Sequence, residues 1–226
     1  PTTFTLPEDD TVTEAGPATP EPPGPGASIT GATPCPTVGG EGVERTTSFA
    51  QAPPTCIDPA SSYTATFDTT QGEVVVTLDA ATAPTAVNSF VVLADYGYYD
   101  GTALFRTDPS IGIVQGGAPL TNSPGDPGPG YTIPDEGDTF SYRPGQLVMA
   151  RSTGVDSTGA QYFFVVTDAA RVLDAQGNYI VIGETDAAGL AVLDGILDLH
   201  VQIESSPLGG GPIDEVIVED VDIQQS

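Results

Sequence analysis

Apolar and polar residues alternate over two neighbouring stretches. In Tyr63-Thr64-Ala65-Thr66-Phe67 the odd positions are apolar, and after Thr70-Gln71-Gly72 the run Glu73 to Leu78 sets Val74, Val76 and Leu78 on one face. A period of two, broken by a Gly-containing turn, predicts a β-hairpin with one face on a core. The period then changes. From Ala83 to Gly97, Val87, Phe90, Val91 and Ala94 recur at helical spacing, with Pro84 in the first turn and Gly97 past the end. A second hairpin is expected over Leu104 to Gly117, LFRTDPSIGIVQGG, turning at Asp108-Pro109-Ser110. Further strands are predicted over 147–151, 161–166, 179–183 and 215–223. A helix over 184–197 carries Leu190, Leu193 and Ile196, with Thr185 or Asp186 as its cap. Many short strands and two helices predict a mainly-β fold, a closed or nearly closed barrel with helices at its ends.

Composition divides the chain. Residues 1–34 cluster Pro and Gly (PATPEPPGPGAS) and carry few apolar side chains, so a disordered or extended linker is expected there. Residues 35–61 run between Cys35 and Cys56 and read as an N-terminal extension stapled to the domain of 62–226. A zinc site would need paired cysteines and more than one histidine, and His200 is alone. A disulfide is the expected use, placing the chain in an oxidising, extracytoplasmic compartment; two free buried thiols are the alternative. The first residue is Pro1, so a trimmed fragment is expected, with any signal or anchor upstream. No apolar run approaches the ~18 residues of a membrane span, and no membrane contact by this fragment is expected.

Charge narrows the partners. The 226 residues include 31 acidic side chains against five basic ones, for a net charge of −26. The five are arginines 45, 106, 143, 151 and 171. Nucleic acid is therefore not an expected partner, since phosphate contacts need cations. The GDPGPG run at 125–130 lacks both a lysine and a strand-to-helix setting, which excludes a phosphate loop. No G-x-S-x-G or calcium-loop pattern occurs, and Asp135-Glu136 are expected in a solvated loop. Among so few cations, Arg106 between apolar neighbours, with Gln115 on the facing arm, suggests a polar pair in an apolar groove. Two surface polar residues would be the plainer reading of that stretch alone.

Several segments in order resemble the cyclophilin family of peptidyl-prolyl isomerases: G-x-x-x-V-x-L in the first hairpin, AP-x-A-V-N-S-F, YYDG (98–101), Phe105-Arg106, QGG (115–117), GPGYTIPDE (128–136), PGQLVMA (144–150), TGAQYFF (158–164) and VIGE (181–184). The resemblance implies an eight-stranded antiparallel closed barrel capped by two α-helices, with a proline groove on its outer face. It assigns Arg106 as the catalytic arginine and Gln115 as the glutamine that bonds the substrate backbone. Phe105, Ile111, Ile113, Phe163, Leu173 and Tyr179 would form the pocket, Ala150 and Arg151 the backbone-binding edge, and Gln161 the groove glutamine. It also implies proline-containing peptides or unfolded proteins as clients, a monomer, and no cofactor or metal. The family's F-H-R reads Leu104-Phe105-Arg106 here, its second pocket histidine falls on Tyr179, and one extra residue separates Arg106 from Gln115. Those departures leave a second function open, a module that holds proline-containing segments with little or no turnover.

Overall fold

In chain order, the computed structural model begins with a pair of short parallel strands, β1 (Ala27–Ile29) and β2 (Thr46–Phe49). It describes residues 21–137, 139–203 and 208–226. The first expected hairpin follows as β3 (Tyr63–Thr69) and β4 (Gly72–Leu78), and its predicted apolar faces are buried. Next come α1 (Pro84–Asp95), β5 (Thr102–Ala103), β6 (Arg106–Asp108) and β7 (Ile113–Gly116). Strands β8 (Gln146–Arg151) and β9 (Thr158–Val165) precede a 3-10 helix over Asp168–Ala175. The chain ends with β10 (Val181–Thr185), α2 (Ala187–Asp198), β11 (His200–Gln202), β12 (Gly210–Pro212) and β13 (Ile217–Gln225).

Eleven of these strands form one sheet, ordered β11-β12-β6-β7-β9-β8-β10-β4-β3-β13-β5, with every pair antiparallel. The expected count of eight is thereby corrected. Eight strands from β6 to β13 make up the expected wall; the two-residue β5 and the β11–β12 hairpin are additions. The sheet curls because β5 and β6, far apart in strand order, are joined through Leu104 and Phe105 alone. Alternation sends Phe67, Tyr162 and Phe164 inward, where they meet Phe90 of α1 and Tyr99 in edge and stacked contacts 5.1–6.3 Å between ring centres.

Both helices are capped by acids. Ala83 gives α1 no side-chain cap, and Glu136 reaches across instead, accepting from the N–H groups of Thr85 (3.1 Å) and Ala86 (2.5 Å). Asp135 and Glu136 do lie in a loop, with Asp135 exposed, and Asp135 too has a partner there, Arg151 at 3.0 Å. For α2 the cap is Asp186, which accepts from Ala188 and Gly189. Thr185, the other candidate, spends its hydroxyl on the Val75 carbonyl.

The linker expected over 1–34 lies outside the described residues up to residue 20. Within 21–34 the chain is laid on the domain: Gly24 accepts from Arg45, Gly26 donates to Thr47 Oγ1, and β1 pairs with β2. Main-chain bonds of this kind need no apolar side chains, so composition does not register them. The cysteines do form a disulfide, Cys35–Cys56. Asn88 of α1 holds that segment, accepting from Cys56 (2.7 Å) and Ile57 (3.2 Å) and donating to Pro54 (2.9 Å). Replacing both cysteines by serine is expected to lower stability by roughly 3 kcal/mol, read as a shift in the urea midpoint without loss of the barrel's circular dichroism.

A carboxylate cluster joins the extension to the barrel. Asp95, at the end of α1, accepts from the Gly39 N–H at 2.9 Å, and Asp100, Asp220 and Asp222 lie around the same small cavity beside Arg45. Burial pushes the Asp95 carboxyl up to about 7, with Asp222 adding repulsion and the Gly39 bond acting against both. Burial and Asp220 raise Asp100 to about 6, opposed by Arg45. These carboxyls titrate near 4 when unfolded, so the folded chain holds extra protons between about pH 4 and 7. The resulting stabilisation is complete below the unfolded value and is lost as pH rises through 6 to 7. Urea midpoints should therefore fall between pH 5 and pH 8. Asp95→Asn should flatten that slope and raise the pH 8 midpoint; an unchanged slope would refute the assignment.

Candidate functional site

The register of three adjacent strands builds the site. Arg106 on β6 stands opposite Gln115 on β7, Gln115 stands opposite Phe163 on β9, and Phe163 stands opposite Val148 on β8. Cross-strand neighbours on one face lie within side-chain contact, so a cation, an amide and an aromatic ring form a row. The β6–β7 turn keeps this register despite its extra residue. Pro109 occupies the second position of a turn closed by Ile111 N–H on the Asp108 carbonyl (3.3 Å), and Gly112 follows with φ +62°. A Cβ at Gly112 would lie 2.2 Å from Thr167 Oγ1, while its carbonyl accepts from Val166 and Thr167. The surplus residue is taken up by the turn.

The row faces a groove of about 400 Å³. Its floor is a second apolar cluster, separate from the barrel core, of Ile113, Tyr142, Val148, Phe163, Val165 and Ala170. Ile111, Ala150, Leu173 and Tyr179 pack on it half-buried. Tyr179 is fixed by its ring edge against Phe163 (5.6 Å), by its N–H on Tyr142 Oη, and by its own hydroxyl on Gln176. The long loop after β7 supplies the facing wall through Pro124, Asp126, Pro127 and Tyr131. Asp126 shapes that loop, accepting from the N–H groups of Leu120, Thr121 and Gly128.

Polar groups in the groove form a chain. Arg106 donates from Nη1 to Gln115 Oε1 (2.9 Å), from Nη2 to Asp108 Oδ2 (2.8 Å) and from Nε to the Leu208 carbonyl (2.8 Å). Gln115 Nε2 donates to Gln161 Oε1 (3.0 Å), and Gln161 donates to the Pro124 carbonyl (3.3 Å). Burial acts to raise the Asp108 carboxyl, but the bonds from Ser110 and Arg106 outweigh it and hold it below its usual range. Arg151 is a brace: only 6% exposed, it ties Asp135, the Asn178 carbonyl and the Gly154 carbonyl together.

Ten of the residues expected at the site line this groove: Arg106, Ile111, Ile113, Gln115, Ala150, Arg151, Gln161, Phe163, Leu173 and Tyr179. Phe105 does not, and its assignment to the pocket is corrected. It lies on the two-residue link between β5 and β6, ahead of the strand that carries Arg106, and is not among the residues around the groove. Two contributors went unread in the sequence. Asp108 could be seen as a turn residue but not as the arginine's partner. Leu208 reaches the site on the β11–β12 hairpin, whose close approach the triplet Gly209-Gly210-Gly211 permits; a Cβ at Gly210 would meet the Val201 carbonyl at 1.9 Å, and one at Gly211 the Phe105 carbonyl at 2.9 Å. His200, on β11, bonds Thr107 Oγ1 at 2.9 Å and does not line the groove.

Residues 64–224 match the family described as cyclophilin type peptidyl-prolyl cis-trans isomerase. A probable peptidyl-prolyl cis-trans isomerase B of Mycobacterium leprae is 34% identical over 177 residues, 72% of this chain and 57% of that protein. The chain thus spans little more than half of that relative's length. A peptidyl-prolyl cis-trans isomerase of Helicobacter pylori is 34% identical over 140 residues, 61% of this chain and 82% of that one. The fold is similar to that of a Cryptosporidium parvum cyclophilin-type isomerase solved in the presence of the dipeptide Ala-Pro, at 25% identity and a TM-score of 0.59, covering 72% of this chain and 99% of the other. With the barrel, the groove and the match over 64–224 in agreement, this chain belongs to the cyclophilin-type peptidyl-prolyl cis-trans isomerase family.

Proposed function

We propose that the groove binds extended X–Pro segments and accelerates rotation about the X–Pro bond. The observation that carries this reading is the row of Arg106, Gln115 and Phe163 above an apolar floor. The barrier to overcome is amide resonance, ~18–20 kcal/mol. As the bond twists, the prolyl nitrogen regains a lone pair that the planar amide lacks. A donor aimed at that nitrogen stabilises the twisted state over either planar one, which is the condition for acceleration. A guanidinium offers five N–H donors, and three of those of Arg106 are engaged within the protein. The remaining two are directed to the prolyl nitrogen. Phe163, Ile113 and Leu173 receive the proline ring, and Gln115 holds the adjoining peptide group.

No proton changes hands in this reaction, so the absence of a histidine before Arg106 removes no proton carrier. The Cys35–Cys56 disulfide favours an oxidising compartment, and clients are accordingly unfolded or proline-rich proteins outside the cytoplasm, met by a monomer. A protease-coupled assay on an Ala-Pro peptide tests the reading. Arg106→Ala should lower kcat/KM by a factor on the order of 10²–10³, by analogy with loss of one transition-state donor. Turnover that survives this change would overturn the mechanism. Peptide binding without turnover by the unaltered chain would instead identify a proline-segment binding module.

A further inference from the structure

Asp108 stands one side-chain position from Arg106 on the same face of β6, and its two oxygens do different things. Oδ1 accepts from the backbone N–H (3.1 Å) and hydroxyl (2.6 Å) of Ser110, which fixes the turn. Oδ2 accepts from Arg106 Nη2 at 2.8 Å, with both side chains about 15% exposed. The Leu208 carbonyl takes Nε and Gln115 takes Nη1. Each guanidinium nitrogen therefore has its own acceptor, on three different elements: the β6 strand, the β7 strand and the β11–β12 connection. A planar group held at three nitrogens cannot turn about its Nε–Cζ bond without breaking at least one contact.

We propose that Asp108 is a positioning residue for Arg106: its Oδ2, with the Leu208 carbonyl, locks the guanidinium plane so that the two remaining N–H groups face the groove. This deepens the isomerase reading and rests on it. An unpaired arginine would sample several rotamers, and a misplacement of about 1 Å can cost on the order of a hundredfold in rate. The lock spares the reaction that search. Its effect belongs to kcat, because the proline ring is held by Phe163, Ile113 and Leu173 and not by Asp108.

Asp108→Asn separates the two functions of the carboxylate. An asparagine keeps a turn by accepting from the Ser110 N–H, and its single oxygen then leaves an amide NH₂ against Nη2, donor facing donor. Asp108→Thr, also a turn former with one oxygen, is the second variant should the first fail to fold. The readouts are kcat and KM for an Ala-Pro peptide, the melting temperature, and nitrogen-15 spectra of the arginine side chains, simple in a chain with five arginines. In the unaltered protein the two Arg106 Nη signals should be separate, and they should vanish in Arg106→Lys, which assigns them. In Asp108→Asn they should coalesce, with kcat about tenfold lower, KM within about twofold, and the melting temperature little changed. An unchanged or raised kcat, a loss confined to KM, or Nη signals that stay separate would each overturn the proposal. If the unaltered chain has no turnover while the Nη signals still coalesce on substitution, the lock stands and the isomerase reading falls.

Discussion

The register between β6, β7 and β9 is the constraint on which the site depends. Arg106, Gln115 and Phe163 share a face only because each is the direct cross-strand partner of the next. A slip of one residue in β7 would turn Gln115 and Ile113 into the barrel and bring Val114 out, because side chains alternate with a period of two. Val114 packs in the barrel core and Ile113 in the outer cluster, so such a slip would disrupt the packing of both apolar layers and put the Gln115 amide in the barrel core. Two cores, one on each face of the same strands, hold the register far more firmly than either would alone.

That arrangement explains why an added residue between Arg106 and Gln115 leaves the pairing intact. The strands are fixed by burial on both faces, and the turn between them is not. Gly112 takes the left-handed conformation and lies so close to Thr167 that no side chain fits. The extra length is confined to the four residues Pro109 to Gly112, where its cost is that of a surface loop. The β11–β12 hairpin is a similar addition at the sheet edge. It covers the outer side of β6 and brings the Leu208 carbonyl to Arg106, which makes the arginine's surroundings depend on an element well outside the hairpin that carries it.

Periodicity made the first hairpin, both helices and most of the strands legible, since each is a local pattern with a local stop signal. Strand order was not, because β13 returns to β3 and β10 to β4 across long stretches of chain. Family likeness placed Arg106, Gln115 and Phe163 together, but it also carried Phe105 into the pocket, whereas that residue sits on the link between β5 and β6, off the groove. The strand expected over 179–183 begins at Val181, and Tyr179 is spent on the groove lip. Leu208 had no residue-level signal, for its contribution is a main-chain carbonyl. Only the glycine triplet beside it hinted that two backbones would meet there.

Acidic residues in this chain outnumber cations about six to one, and ion pairs can occupy few of them. The structure gives many of the others a backbone partner. Glu136 takes two N–H groups of α1, Asp186 two of α2, Asp126 three of its own loop, Asp174 that of Tyr142, and Asp156 that of Asp135. A carboxylate bonded to amide groups at contact distance gains a charge-assisted hydrogen bond without a second charge to desolvate or a long basic side chain to order. Such bonds act over a few ångströms, well within the screening length of physiological salt, so ionic strength should weaken them less than it weakens surface ion pairs. Acidity on this scale thus serves two ends. It keeps the surface strongly negative, and it supplies acceptors for helix-end and loop N–H groups, a task that the donor-only side chains of lysine and arginine cannot perform.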